Sequence, residues 1–151
     1  LMENNLSSIL NKIRKDNTIV FTNGCFDLLH EGHLHLLKEA KKLGDILIIG
    51  INDDASVKRL KGNTRPIEQL ETRILHLNNT GLADFVIPFT EDTPLSLIEK
   101  IQPQIIVKGS DYTKENIIGS NIAEQTVIIP IIEGFSTTKK IEFLQKNSPL
   151  S

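Results

Sequence analysis

Residues 18–33 read TIVFTNGCFDLLHEGH, and the fold turns on how that stretch divides. Thr18–Phe21 carries the β-branched and aromatic side chains of a buried strand. Asn23-Gly24 is a turn signal. His30-Glu31-Gly32-His33 then leads into a helix. A strand that turns through glycine into a helix start gathers unpaired backbone N–H groups and the positive end of the helix dipole at one place. Such a place binds phosphate. The two histidines add polar donors there that become cationic on protonation.

Working outward, the expected helix over 33–43 repeats Leu36, Leu37, Ala40 and Leu43 on one face, with His33 at the head of that stripe. His35 falls with Lys38, Glu39 and Lys42 on the outer face and reads as a solvated surface histidine. Gly44 supplies a stop. Asp45–Ile51 holds the run ILIIGI, a strand covered on both faces as in a parallel sheet. Asn52-Asp53-Asp54 can cap a short helix. The stretch after it, residues 57–66, places Lys58, Arg59, Lys61 and Arg65 within eight positions. Beside the carboxyl end of a strand, where ligands sit in open α/β sheets, this reads as a mobile cationic arm that closes over phosphates.

Further on, a helix over 67–79 is expected to turn Ile67, Leu70, Ile74, Leu75 and Leu77 to the core. Asp84–Phe89 is a third strand, and Pro88 assigns it to a sheet edge or a strand end. Asp92-Thr93-Pro94 opens a helix to Ile101. Gln104–Lys108 and Thr126–Ile131 are the fourth and fifth strands, and a last helix runs from Ser136-Thr137-Thr138 to about Lys146. Before all of this, Leu6, Ile9, Leu10 and Ile13 mark an amphipathic packing helix over 3–16. Strand and helix alternate with short connections. The expectation is an α/β, Rossmann-like, doubly wound, five-stranded parallel sheet with helices on both faces, in a single domain over 1–151 with its core at about 16–146.

Composition removes several functions. A net charge of −2 over 151 residues gives no reason to expect nucleic-acid binding. Cys25 is the only cysteine, so neither an intrachain disulfide nor a cysteine-based zinc site can form, which fits a cytoplasmic location. No run of about 18 apolar residues spans a membrane. The start of the chain has no signal-peptide character, and Met2 is the expected native start. G-x-x-x-x-G-K-[ST], G-x-G-x-x-G after strand one and G-x-S-x-G are all absent. H-E-G-H departs from the zinc-binding H-E-x-x-H, and Gly32 favours close approach of a ligand. Cys25 has no indicated base and reads as a small buried residue rather than a nucleophile.

The strand ends thus bring His30 and His33, the Lys58–Arg65 arm, Lys108 with Asp111, and the hydroxyls of Ser136, Thr137 and Thr138 to one sheet edge. Two helix N-termini and several cations suit a triphosphate better than a single carboxylate.

T-N-G-C-F-D-L-L-H-E-G-H at 22–33, with G-F-S-T-T-K at 134–139, resembles the cytidylyltransferase-like nucleotidyltransferase superfamily. That family carries an H-x-G-H box after strand one and a late S/T-rich motif at a helix start. The likeness runs from about residue 16 to 146. Within the superfamily it is greatest to the D-glycero-D-manno-heptose 1-phosphate adenylyltransferases, the nucleotidyl domain of ADP-heptose synthase. I-N-D-D-A-S-V-K-R-L-K-G at 51–62, R-P-I at 65–67, E-D-T-P-L at 91–95 and V-K-G-S-D-Y at 107–112 carry it. Glycerol-3-phosphate cytidylyltransferase and archaeal-type FAD synthetase share the H-x-G-H and S-T-T regions and remain alternatives, as does a GTP-using heptose-phosphate guanylyltransferase. So does a non-catalytic nucleotide-binding module, which the presence of both histidines and the cationic arm disfavours.

The resemblance implies transfer of adenylyl from ATP to the sugar 1-phosphate, with Mg²⁺ accompanying the triphosphate. It assigns His30, His33 and Lys61 to the reaction. It places Thr22, Asn23, Gly24, Cys25, Phe26, Gly32, Lys58, Arg59, Arg73, Lys108, Asp111, Tyr112, Ser136, Thr137 and Thr138 around the nucleotide, and assigns no residue to a metal. It leaves a homodimer open, and has a separate heptose kinase supplying the precursor.

Overall fold

The computed structural model describes residues 2–110 and 116–130, with side chains from residue 6 onward. The elements run α1 (Met2–Arg14), β1 (Ile19–Gly24), α2 (Glu31–Lys41), β2 (Ile46–Asn52), α3 (Asp54–Lys61), α4 (Leu70–Asn79), β3 (Phe85–Phe89), α5 (Leu95–Ile101), β4 (Ile105–Gly109) and β5 (Gln125–Ile129). The expected last helix from Ser136 lies outside the described residues. All strand pairings are parallel, in the order β3-β2-β1-β4-β5. The chain lays β2 and β3 to one side of β1, then crosses to lay β4 and β5 on the other. The strand order therefore switches between β1 and β4, where open α/β sheets hold their ligands.

Alternation along the strands builds two cores. Val20, Leu47, Ile49, Ile51 and Val107 face α2 and α4 through Leu37, Ala40 and Leu77. Ile19, Phe21, Ile48 and Ile106 face the other way, toward Leu10 of α1 and Leu97, Ile98 and Ile101 of α5. The sheet is thus covered on both faces, and β2 is apolar almost throughout because both its faces are buried. Gly50 interrupts that run for a steric reason. A Cβ there would lie 2.8 Å from the Phe21 ring. β3 is an edge strand, and Pro88 sits in it opposite Ile51, where a missing N–H costs no ladder bond on the outer side.

Periodicity misplaces several side chains: Ile9 and Leu43, expected on inner faces, are exposed. The helix at 67–79 begins only at Leu70, leaving Ile67 in the preceding turn, 51% exposed. Leu75 points outward at 56% exposure. The inner stripe of α4 is Leu70, Arg73, Ile74 and Leu77, with a fully buried arginine in it. Leu70, Ile74 and Leu77 face inward as expected, and an apolar-only rule misses Arg73. The first part of the basic stretch is helical. Lys58, Arg59 and Lys61 form the last turn of α3, where cations complement the helix dipole. Gly62 closes that helix at φ +104, a backbone conformation suited to glycine. His35 is partly exposed.

Candidate active site at the strand switch point

The β1–β4 ladder pairs Val20 with Ile105 and Phe21 with Ile106. Beyond that pair, side chains bridge the two strands. Thr22 donates its hydroxyl to the Val107 carbonyl at 2.8 Å. The Lys108 ammonium donates to the Asn23 carbonyl at 2.9 Å. Two expected site residues on β1, Thr22 and Asn23, are thus tied to β4, the second through Lys108. The Thr22 hydroxyl is buried in this bridge.

The chain then passes Cys25, Phe26, Asp27 and Leu28 to reach α2. His30 is the N-cap of α2 and His33 its third residue, and together they form a capping box. The His30 Nδ1 accepts from the Gly32 N–H at 3.0 Å. The His33 Nδ1 accepts from the His30 N–H at 3.2 Å. The two rings stack with centroids 3.8 Å apart. A neutral imidazole whose Nδ1 accepts carries its proton on Nε2. Phe26, buried, braces His33 from the side at a centroid distance of 5.3 Å. Gly24 leaves room for that ring, since a Cβ there would come within 3.2 Å of it.

Arg73 was expected at phosphate. It has no exposed surface, and its guanidinium is occupied within the protein. It donates to the carbonyls of Cys25 at 2.9 Å, Asn52 at 2.7 Å and Glu68 at 3.0 Å, and to the Asp54 carboxylate at 2.6 Å. It therefore ties the ends of β1 and β2 to the start of α4 and braces the loop from behind. Burial pushes the Cys25 thiol up, against the opposing charges of Lys61, Arg73 and Arg65. Arg65 reaches the loop at Asp27, to which its Nε donates at 2.8 Å. Arg59 goes elsewhere, pairing with Asp92 at 2.9 Å and with the Thr90 carbonyl. Lys58 is exposed on the same helix. Asp111, Tyr112, Ser136, Thr137 and Thr138 lie outside the described residues.

Sequence reasoning missed Asp27. Its carboxylate is buried and accepts from Arg65 Nε and from the N–H groups of Ile67 and Glu68. Nothing in local spacing joins residue 27 to residues 65–68. A cavity of about 570 Å³, lined by Leu28, Leu34, Lys38, His76 and Leu82 among others, opens between α2 and α4. The histidine pair does not line it.

Residues 21–141 match the family model described as cytidylyltransferase-like. The chain belongs to that family. Its nucleotidyltransferase domain is 51% identical over 133 residues to the bifunctional protein HldE of Helicobacter hepaticus, covering 88% of this chain and 28% of that protein. HldE of Campylobacter concisus is 52% identical over 120 residues, covering 80% and 25%. The chain thus spans about a quarter of the length of these curated relatives. Among solved structures, the lipopolysaccharide core biosynthesis protein of Thermoplasma volcanium superposes at a TM-score of 0.63 and 32% identity, covering 77% of this chain and 97% of that one. Pantoate-beta-alanine ligase from Francisella tularensis matches at 0.61 and 16% identity, covering 98% and 78%, and shares the fold. Among the described residues of this cytidylyltransferase-like domain, no helix is long and apolar enough to cross a membrane.

Proposed function

We propose that this domain transfers an adenylyl group from ATP to D-glycero-D-manno-heptose 1-phosphate, giving ADP-heptose and pyrophosphate. One observation supports the transfer chemistry: two stacked histidines cap the helix at the strand switch point, each with its Nδ1 on a backbone N–H. Resemblance in the 51–62, 65–67, 91–95 and 107–112 segments supports the choice of acceptor. So does likeness to HldE and to a protein titled for lipopolysaccharide core biosynthesis. On this reading the product feeds lipopolysaccharide core or another heptose-containing glycan.

A phosphate oxygen of the sugar 1-phosphate attacks the α-phosphorus in line. The new O–P bond forms as the bond to the β-phosphate oxygen breaks, and pyrophosphate leaves with that electron pair. The nucleophile is already an oxyanion, so no general base is needed. Positioning and charge stabilisation supply the rate. His30 and His33 donate to the phosphate oxygens as charge builds. Backbone groups of Gly24–Phe26 line the nucleotide side, held from behind by Arg73. Lys61, with Lys58 beyond it, neutralises the leaving pyrophosphate. Lys108 holds Asn23 at the end of β1. Asp111 and Tyr112 toward the adenosine, and Ser136, Thr137 and Thr138 toward phosphate, are assigned by resemblance.

Among the described residues no three carboxylate, histidine or cysteine groups converge. The donors at the site are imidazole, ammonium and amide groups, which suit phosphate oxygens. Mg²⁺ belongs with the triphosphate on this reading, where it offsets phosphate charge.

The test is pyrophosphate release with Mg²⁺, crossing ATP, GTP and CTP with heptose 1-phosphate and glycerol 3-phosphate. Turnover confined to ATP with heptose 1-phosphate supports the proposal. Turnover with CTP and glycerol 3-phosphate, or with GTP, overturns the substrate assignment. Nucleotide binding without pyrophosphate release for any pair overturns the transfer.

A further inference from the structure

Asp27 stands between two residues in the left-handed region, Phe26 at φ +50 and Leu28 at φ +59. Neither is a glycine. Bulky side chains hold such angles only where surrounding contacts over-determine them, and such strain gathers at functional sites.

The over-determining contacts all run to one turn. Asp27 Oδ2 accepts from Arg65 Nε at 2.8 Å and from the Ile67 N–H at 2.7 Å. Asp27 Oδ1 accepts from the Glu68 N–H at 2.9 Å. Glu68 answers by accepting the Leu28 N–H at 3.0 Å. Residues 27–28 and 65–68 thus exchange four hydrogen bonds, around a carboxylate that is 1% exposed.

We propose that Asp27 is a positioning residue of the transfer site: its carboxylate latches the 65–68 turn onto the histidine loop and so sets both the histidine rings and the end of α3. The proposal rests on the nucleotidyl-transfer reading. Asp27 itself is not placed to touch substrate, because both of its oxygens are engaged inside the protein. It acts through its neighbours. On one side, the backbone angle of Phe26 aims the ring that braces His33 at 5.3 Å. Three residues beyond Asp27, His30 caps α2. On the other side, Arg65 lies just past Gly62 and Lys61. Fixing Arg65 therefore fixes the end of the helix that carries the cations for the leaving group.

Asp27→Asn preserves size and leaves one oxygen in place of two, so the full donor set can no longer be accepted. Arg65→Gln removes the opposing guanidinium. Both variants, and the double variant, are compared with the parent by circular dichroism, by kcat and KM for pyrophosphate release, and by ¹H–¹⁵N spectra of the histidine rings without nucleotide. The proposal expects an unchanged helix signal and displaced His30 and His33 ring resonances. It expects kcat lower by about 10- to 10²-fold, the scale of a small misplacement at a reacting centre. The double variant should be no worse than Asp27→Asn, since the two residues form one latch.

A folded Asp27→Asn protein with parental kcat, or with unmoved ring resonances, overturns the proposal. If Asp27→Asn fails to fold, Arg65→Gln alone decides. Displaced rings with lower kcat support the latch, and parental values overturn it. If the parent releases no pyrophosphate, the transfer reading falls, and the ring resonances still decide whether Asp27 positions the histidines.

Discussion

His30 and His33 stack with ring centroids 3.8 Å apart, and each uses its Nδ1 to hold a backbone N–H in the first turn of α2. The same two rings therefore cap a helix and, on the proposed reading, donate to a ligand. The two roles can be separated at His30. His30→Asn restores a good N-cap without the Nε2–H donor. Its stability should stay within about 0.5 kcal/mol of the parent, while turnover falls. His30→Ala should lose both, costing about 1 kcal/mol in addition. Urea unfolding beside steady-state turnover checks this. Full turnover in His30→Asn would reduce His30 to a cap.

Arg73 should matter to stability first. It is fully buried and serves three carbonyls and a carboxylate. Arg73→Met leaves those acceptors unpaired, at a cost of about 3 kcal/mol or more. A sharp fall in thermal midpoint is expected. A protein of parental stability would mean that the loop finds other donors.

Acid should release the Asp27 latch. Burial alone would raise this carboxyl, but the N–H groups of Ile67 and Glu68 and the Arg65 guanidinium outweigh it and hold the pKa below the ordinary value. The folded state therefore binds its proton at lower pH than the unfolded chain. The resulting stability is fully present above the unfolded carboxylate pKa of about 4 and is lost as the pH falls toward the folded value. Unfolding midpoints measured from pH 6 down to pH 3 should fall in the parent. Asp27→Asn should remove that part of the slope. An identical slope in the variant would contradict the shift.

Cys25 should be a slow thiol. Burial holds its pKa above the ordinary thiol value, and the nearby cations offset this only in part. The thiolate is the reactive form. Alkylation at pH 8 should be slower in the folded protein than in urea. Equal rates would place the thiol outside the loop described here.

The parallel sheet was legible because its evidence is local. Thr18–Phe21, the ILIIGI run and the Pro88 strand each announce themselves within a few residues. The histidine pair was legible for the same reason, since two glycines and two histidines fall within ten positions, although the turn expected at Asn23-Gly24 is instead the end of β1. What the sequence hid is long-range or against type. Asp27 meets Arg65 across 38 residues, and no periodicity encodes that contact. Arg73 occupies an inward position of α4 because carbonyls at three separate points converge on it. A rule that turns only apolar residues inward gives that position to Leu75. Arg59 looked like a phosphate ligand by charge alone, and its geometry gives it Asp92.

The most direct test compares pyrophosphate release from ATP and heptose 1-phosphate by the parent and by His33→Ala. The two are first matched by circular dichroism and nucleotide binding. Release by the parent that requires both substrates, with turnover lower by about 10²-fold or more in His33→Ala, is the predicted result, the scale of losing one preorganised donor. A folded, nucleotide-binding His33→Ala protein with near-parental turnover would contradict the assignment of the transfer chemistry to the stacked pair.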